Sequence, residues 1–533
     1  MRVLLLYPRF PKTYWSMDGA LELVGRKVLL PPLGLITVAA LLPSSWELRL
    51  VDCNIHTVSE EDWRWAELVM ASAMIVQRQD LAQLIQQAAT RQIPVAVGGP
   101  FVSSTPDAAE LQGAQYLILD EGEITIPLFV QALARGERHG LFRANGERPD
   151  ISLSPVPRFD LLKRQAYNMM PVQFSRGCPF QCEFCDIIVL YGRKPRTKSP
   201  DQLLRELEQL LSLGWRGEVF LVDDNFIGNK RNVKLLLPEL QGWQQRHGFP
   251  FSFTTEASVD LAGDAGLMEA MVGCGFRRVF VGIETPDQDS LRVTNKMQNT
   301  RSPLADAVDA ITDHGLQVMA GFILGFDGER AGAGQRIVEF VNRTGIPLAM
   351  LGILVALPNT ALWHRLAREG RLLAGDDRFD QGVQTHLLNF VPDRPMQEIA
   401  AEFLQAFSDL YDPIPYAERV YHYVCKLAQG RRRHAGSPIP RTWMQRPGLL
   451  RGLLILFWRQ GVKRPSRGVF WQQLIAIVIN HPMILDEYIW LLMLNEHFLD
   501  YEATARQQVE QQLALWRSPM PALPAIGAAA VSR

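Results

Sequence analysis

The chain has 533 residues, 47% hydrophobic and 21% charged, with 55 Lys+Arg against 56 Asp+Glu and a net charge of -1. This composition excludes a disordered or collagen-like chain, and at about 100–200 residues per domain it predicts about three or four domains. The charge balance gives no overall electrostatic reason to bind nucleic acid, and 6 cysteines are too few for a disulfide framework.

Residues 1–140 alternate short apolar runs with helical patterns. Strands are predicted at Val3–Tyr7, Leu48–Val51, Leu68–Ala71, Val95–Val97 and Tyr116–Leu119, with helices at Leu35–Leu42, Leu81–Ala89 and Ile126–Leu133. Continuous apolar strands between helices predict a parallel sheet covered on both faces, whose ligand sits at the strand carboxyl ends. Those ends are built from small and acidic residues: Ser72, Gly98, Gly99, Ser103, Gly122 and Glu123. The opening Met1–Pro8 has neither the length nor the cleavage site of a signal peptide. No apolar run reaches the ~18 residues of a membrane span. The expected location is the cytoplasm.

Residues 141–170 are rich in Pro and Arg and weakly periodic, and read as a linker. A second alternating region, 171–360, has strand candidates Pro171–Ser175, Val219–Val222, Phe251–Thr255, Arg278–Ile283, Val318–Leu324 and Ala349–Ala356, with helices such as Asp201–Leu213 and Leu304–His314. Six β-α repeats predict a full or partial TIM-type barrel with its chemistry at the strand carboxyl ends. Residues 361–518 read as a helical, basic domain and 519–533 as a loose tail. From Arg419 to Leu485 there is no Asp or Glu, yet twelve Lys and Arg residues, interleaved with Leu453–Trp458 and Leu474–Ile479. That stretch has two readings: a basic face paired to acids elsewhere in the chain, or peripheral contact with an anionic membrane at its inner face.

The sharpest local signal is Gly177-Cys178-Pro179-Phe180-Gln181-Cys182-Glu183-Phe184-Cys185, just after the first barrel strand. Thiolates are the ligands of iron–sulfur clusters, and three on one loop fill three corners of a [4Fe-4S] cubane, leaving one iron open. A zinc site would want a fourth Cys or His nearby. A Cys182–Cys185 redox pair leaves Cys178 unexplained, and chance clustering is the third alternative. Cys53, Cys274 and Cys425 read as small buried hydrophobes.

The C-x3-C-x2-C spacing, with an aromatic before the third Cys, resembles the radical S-adenosylmethionine enzymes. Four strand-end segments resemble the same superfamily: Val222-Asp223-Asp224-Asn225-Phe226, Thr255-Glu256, Gly282-Ile283-Glu284-Thr285-Pro286 and Gly321-Phe322-Ile323-Leu324-Gly325-Phe326-Asp327. Pro31-Pro32-Leu33-Gly34-Leu35, Gly98-Gly99-Pro100 and Gly122-Glu123 resemble the Rossmann-like cobalamin-binding domain that precedes many of these enzymes. The layout is most similar to the hopanoid C-2 methylase subgroup. The D-x-H-x-x-G pattern of many cobalamin proteins is absent: Asp52-Cys53-Asn54-Ile55-His56 has another spacing. His56 therefore reads as a loop histidine.

The resemblance implies three cofactors: a [4Fe-4S] cluster on Cys178, Cys182 and Cys185, S-adenosylmethionine, and cobalamin. For S-adenosylmethionine it implies Phe184, Asp223, Glu256, Glu284, Gly321 and Gly325 as neighbours. The three acids face the alternative of pairing with Arg or Lys across the barrel mouth. For cobalamin it implies Ser72, Gly98, Gly99, Ser103, Gly122 and Glu123. It implies reductive cleavage of S-adenosylmethionine by an electron from a flavodoxin- or ferredoxin-type donor, hydrogen abstraction from an unactivated carbon, and methylation of that carbon in a small-molecule or lipid substrate. Relatives that perform oxidative cyclisation or rearrangement share these motifs. A corrinoid carrier or a metal-stabilised interaction module is the non-enzymatic alternative.

Overall fold

Val3 and Leu5 point to one side of the first strand and Leu4 and Leu6 to the other, and all four are buried. That is the mark of a strand covered on both faces. In the computed structural model, which describes residues 1–373, 383–433 and 449–516, this strand is β1 (Arg2–Tyr7) of a six-stranded sheet. Its partners are β2 (Glu47–Asp52), β3 (Leu68–Ser72), β4 (Val95–Gly98), β5 (Tyr116–Ile118) and β6 (Gly140–Phe142), ordered β2-β1-β3-β4-β5-β6 and parallel throughout. The sixth strand was not predicted. It is three residues long and carries a single strong apolar pair, too little for a periodic signal.

The stretch expected as a linker is packed. It begins inside β6, and Ile151, Phe159, Leu162 and Tyr167 are buried. The Tyr167 hydroxyl donates to Asp52 at 3.0 Å, and Gln202 Nε2 donates to the Ile151 and Ser154 carbonyls at 3.0 and 2.7 Å. Its apolar residues lack a period because each is taken up by a different neighbouring element.

The second sheet holds β7 (Met170–Val172), β10 (Gly217–Leu221), β11 (Phe251–Glu256), β12 (Phe276–Glu284), β13 (Gln317–Leu324) and β14 (Leu348–Ile353) in chain order, all parallel. This is the partial form of the predicted barrel. The first strand is shorter than expected. After Val172 the chain leaves the sheet, and β8 (Ser175–Arg176) pairs antiparallel with β9 (Arg196–Thr197), closing a hairpin-like loop around the cysteines.

The rest is helical: Ala361–Arg368, Met396–Tyr411, Pro413–Arg433, Leu449–Trp458, Arg467–Asn480 and Leu485–Trp516. The last helix reaches back to the start of the chain. Tyr14 stacks on Phe498 at 4.7 Å, its hydroxyl lies 2.8 Å from that of Tyr411, and its carbonyl accepts from His497 Nε2 at 3.1 Å. Much of the basic stretch is paired. Arg431 binds Glu487 at 3.0 Å, Arg459 and Arg464 bind Glu496 at 3.4 and 2.9 Å, and Lys426 binds Asp309. Arg419 is buried and donates to Asn342. Arg441, Arg446 and the 519–533 tail lie outside the described residues. Among the described residues no single helix is long and apolar enough to cross a membrane. One bent pair, Arg467–Asn480 with Pro482–Trp516 at 114°, passes that test only jointly.

Candidate active site

The carboxyl ends of the two sheets face a shared cavity of about 850 Å³. From the first sheet it is lined by Ser72, Gly98, Gly99, Gly122 and Glu123, and from the second by Pro171, Gln173, Arg176, Val222 and Asp224. An N-terminal segment including Phe10 and Trp15 covers it.

Small residues make the first sheet's side of the cavity a cradle. A Cβ on Gly99 would stand 2.6 Å from Ser72 Oγ, and its φ of +96° is the left-handed region that glycine tolerates. A Cβ on Gly34, which also lines the cavity, would meet nothing within 4 Å. These residues fit a large flat ligand laid against backbone. Ser103, by contrast, does not line the cavity. Its hydroxyl donates to the Gly99 carbonyl at 3.0 Å and accepts from Asp120 N at 2.9 Å, so it shapes the loop. Glu123 lines the cavity, but its carboxylate is taken by Arg176 and Ser154. Burial opposes its ionisation, yet the Arg176 charge and hydrogen bonds push its pKa down to about 2. His56 is half-buried beside Lys163 at 3.1 Å and does not line the cavity, consistent with a loop role.

Cys182 is buried, while Cys178 and Cys185 are half-buried, on the loop between β8 and β9. Asn225 Nδ2 points at Cys178 Sγ from 3.9 Å and Gln298 Nε2 at Cys182 Sγ from 3.4 Å. Burial raises the Cys178 and Cys185 thiols, so their anionic form needs a compensating positive charge. Among the described residues no three His, Cys, Asp or Glu side chains close around one metal ion. Ligands of a cubane bind separate irons and need not converge. Three thiols on one loop, with N–H donors aimed at two of the sulfurs, fit the cluster.

The predicted acids divide. Asp223 accepts from Phe174 N and Ser175 N, both at 2.8 Å, and from Ser175 Oγ at 2.7 Å. It therefore holds the backbone that turns the chain into the cysteine loop. Glu284, at φ 65° in a bulge of β12, is ion-paired to Lys296, which also sits 5.7 Å from the Phe184 ring. Glu256 alone has neither a hydrogen bond nor an ion pair among the described residues. Burial, then the charges of Asp224 and Asp223, push it up to about 8. Asp223 is pushed to about 7 and Asp224 to about 6, in both cases chiefly by burial. Asp223 is satisfied by its three hydrogen bonds, which leaves Glu256 and Asp224, with none and one, as the carboxyls that fit a cationic ligand; S-adenosylmethionine carries a sulfonium and an ammonium.

The two glycines are filled over by protein. A Cβ on Gly321 would meet the Phe280 ring at 3.0 Å, and one on Gly325 would meet Leu388 at 3.0 Å. Their small size admits neighbouring side chains, and neither lines the cavity. Several residues of the site carried no predicted role. Asp224 accepts from Gly177 N at 2.7 Å and lines the cavity. Arg176 and Arg196 both bind Glu121, at 2.9 and 2.8 Å. Glu183, inside the cysteine motif, is bound by Arg365 of the Ala361–Arg368 helix. Asp224 stood beside a predicted residue in the same motif. The arginines had no sequence signal because their partners lie 53 to 182 residues away.

Family models match the chain in order: a B12 binding domain over residues 23–130, the radical SAM superfamily over 172–341, and a domain of unknown function (DUF4070) over 360–511. The chain is 58% identical over 515 residues to an uncharacterized methyltransferase of Synechocystis sp., covering 96% of this chain and 94% of that one. It is 34% identical over 505 residues to the hopanoid C-2 methylase of Rhodopseudomonas palustris, covering 91% and 93%. The solved structure of the radical S-adenosylmethionine methyltransferase TsrM from Kitasatospora setae shares the fold, with a TM-score of 0.59 at 15% identity over 85% of this chain and 99% of that one. Arg176 and Tyr191, on either side of the cysteines, line the cavity, while Cys178, Cys182, Cys185, Phe184, Asp223, Glu256 and Glu284 lie outside its lining. By its matched domains and its near full-length relatives, the chain belongs to the cobalamin-dependent radical S-adenosylmethionine methyltransferases, in the group of the hopanoid C-2 methylase.

Proposed function

We propose that this methyltransferase acts on an unactivated carbon of an apolar, polycyclic lipid of the hopanoid kind. The observation that carries this is the shared cavity: it takes cofactor on its glycine-lined side, while Phe10, Trp15, Leu29, Leu33 and Val76 offer hydrocarbon to the remainder. The 34% identity to a hopanoid C-2 methylase over nearly its whole length supports the same substrate class.

When bound, the cluster, S-adenosylmethionine and cobalamin supply a hydrogen-abstracting radical and a methyl group. The chain's own residues position and exclude. Cys178, Cys182 and Cys185 hold the cluster. Glu256 and Asp224 receive the cationic groups of S-adenosylmethionine, with Phe184 beside the cysteines. Ser72, Gly98, Gly99 and Gly122 let the corrinoid lie against backbone. Trp15, with its ring 5.5 Å from Phe280 and its Nε1 donating to Met350 Sδ at 3.0 Å, closes an apolar wall that keeps water from the reacting carbon.

Enzymes of this superfamily require a reductant and a small-molecule substrate. A flavodoxin or ferredoxin suits the first, and a lipid substrate brings the enzyme to the inner face of a membrane. The test is anaerobic turnover on extracted lipids. Equal formation of S-adenosylhomocysteine, 5′-deoxyadenosine and a product heavier by one methylene supports methylation. 5′-Deoxyadenosine without S-adenosylhomocysteine indicates cyclisation or rearrangement instead. Neither product indicates a carrier.

A further inference from the structure

We propose that the elbow made by the Leu449–Trp458 and Arg467–Asn480 helices is a docking surface for an anionic phospholipid bilayer, lying in the plane of the membrane. Among the described residues, twenty large hydrophobic side chains are exposed, and nine fall between 450 and 483: Leu450, Leu454, Trp458, Val462, Trp471, Ile475, Val478, Ile479 and Met483. They follow helical spacing. Leu450, Leu454 and Trp458 recur every four residues on the first helix, and Trp471, Ile475 and Ile479 do so on the second, so each helix turns one apolar stripe outward. The stripes meet at the elbow, where the Phe457 and Trp471 rings are 5.8 Å apart and Trp471 Nε1 donates to the Gly461 carbonyl at 2.8 Å. A cluster of this size on a folded chain marks an interaction surface.

Charge selects the occupant. No Asp or Glu occurs from 419 to 485. Arg431, Arg464 and Lys426 of that stretch are consumed internally by Glu487, Glu496 and Asp309. Arg451, Lys463 and Arg467, all exposed on the elbow, form no ion pair among the described residues. Outward hydrophobes flanked by unpaired cations, with no anion among them, match the headgroup region of an anionic bilayer. The helices have 10 and 14 residues, short of the ~20 that cross a bilayer. The following helix is tied into the core through Tyr488, Leu491 and Leu492, so the elbow cannot swing through the membrane.

The surface is one short helix away from the cavity. A Cβ on Gly452 would stand 1.9 Å from the Leu23 carbonyl, so the first docking helix lies directly on the Asp18–Leu23 helix. Trp15 and Ser16, which lead into that helix, and its first residue Asp18 line the cavity. The surface rests in this respect on the lipid-substrate reading, since a bilayer beside the cavity cover serves an enzyme that draws substrate from it.

The test is co-sedimentation of the full chain with vesicles of phosphatidylglycerol or of phosphatidylcholine, neither containing substrate. Wild type is expected to sediment with the first, not the second, and to be released by salt. Leu454→Asp combined with Ile479→Asp is expected to cut the bound fraction by about tenfold or more. Lys463→Glu combined with Arg467→Glu is expected to remove the preference for the anionic vesicle. All four positions are exposed, so melting temperature and reconstituted iron content should match wild type. Failure of wild type to bind at low salt, or both variants binding as wild type does, overturns the proposal. So does a dimer of wild type that the apolar variant dissolves without any vesicle binding, which would make the elbow a contact between two copies. A substrate that proves water-soluble refutes the lipid reading without touching the vesicle result. Unchanged turnover of detergent-dispersed substrate by the apolar variant separates docking from chemistry.

Discussion

Arg176 Nη2 donates to Glu123 Oε1 at 2.8 Å, and this contact joins the residue preceding the cluster loop to the first helix past β5 of the other sheet. Both side chains are nearly buried, at 12% and 7% exposure, and Glu121 beside them is shared by Arg176 and Arg196. The seam between the cofactor domains is thus ionic. Arg176→Met strands Glu123 without its cation and is expected to cost about 3 kcal/mol of stability. Arg176→Lys recovers only part, because a single ammonium cannot serve two carboxylates in a fork. Glu123 is held low, so the contact is intact above the ordinary glutamate range and is lost as pH falls toward about 2. Acid unfolding followed by circular dichroism should show this midpoint moving up in pH in Arg176→Met.

Gly34 offers a clean test of the cobalamin cradle. Gly99→Trp confounds binding with strain at φ +96°, whereas Gly34 is helical and opens into the cavity with nothing within 4 Å of its Cβ. Gly34→Phe is expected to lose bound cobalamin, read by visible absorbance after gel filtration. Its melting temperature should hold or rise, since glycine is the poorer helix former by ~1 kcal/mol. Full corrinoid retention would argue that the ligand lies elsewhere.

Glu256 takes up a proton on folding, because its carboxyl is raised from the ordinary glutamate range to about 8. For a raised acid the associated stability is full at low pH and declines as pH climbs from 4.5 through about 8. Glu256→Gln removes that decline. Without cofactors the variant should lose less melting temperature between pH 7 and pH 9 than wild type does, the fall below pH 7 being shared with Asp223. S-Adenosylmethionine binding, measured by calorimetry on the reconstituted protein, should weaken in the same variant. A variant with wild-type affinity would release Glu256 from the site.

On the proposed reading, replacement of Cys178, Cys182 or Cys185 by Ala removes one of three cluster ligands. Each variant is expected to lose reconstituted iron and to form no 5′-deoxyadenosine. Cys274→Ala should keep both, since that thiol is buried and donates to the Leu237 carbonyl at 3.1 Å, away from the loop.

Gly452→Ala places a methyl group where the Leu23 carbonyl already stands. The backbone cannot yield as a side-chain tip would, and a loss of about 2 kcal/mol is expected. Thermal denaturation reads it directly. Gly468→Ala, with nothing within 4 Å, is the control and should not destabilise.

All strands of both sheets except β6, and the cysteine loop, were legible in the sequence because their signals are local. Val3 to Leu6 can only be buried on two faces, and three thiols in eight residues have few uses. Roles that depend on distant partners were not legible. Asp223 looks like a ligand acceptor until Phe174 and Ser175 are seen to occupy it. Glu284 looks equally free until the chain brings Lys296 beside it. Arg431, one of a visible run of three arginines, is buried on Glu487, which only the fold supplies. The proposed membrane contact therefore rests on the helical elbow rather than on residues 431–433.

The contact of Tyr14 with His497 spans 483 residues. The N-terminal segment that lines the cavity is pinned by the Leu485–Trp516 helix. Loosening that helix, far from the cavity in sequence, therefore loosens one of the cavity's walls.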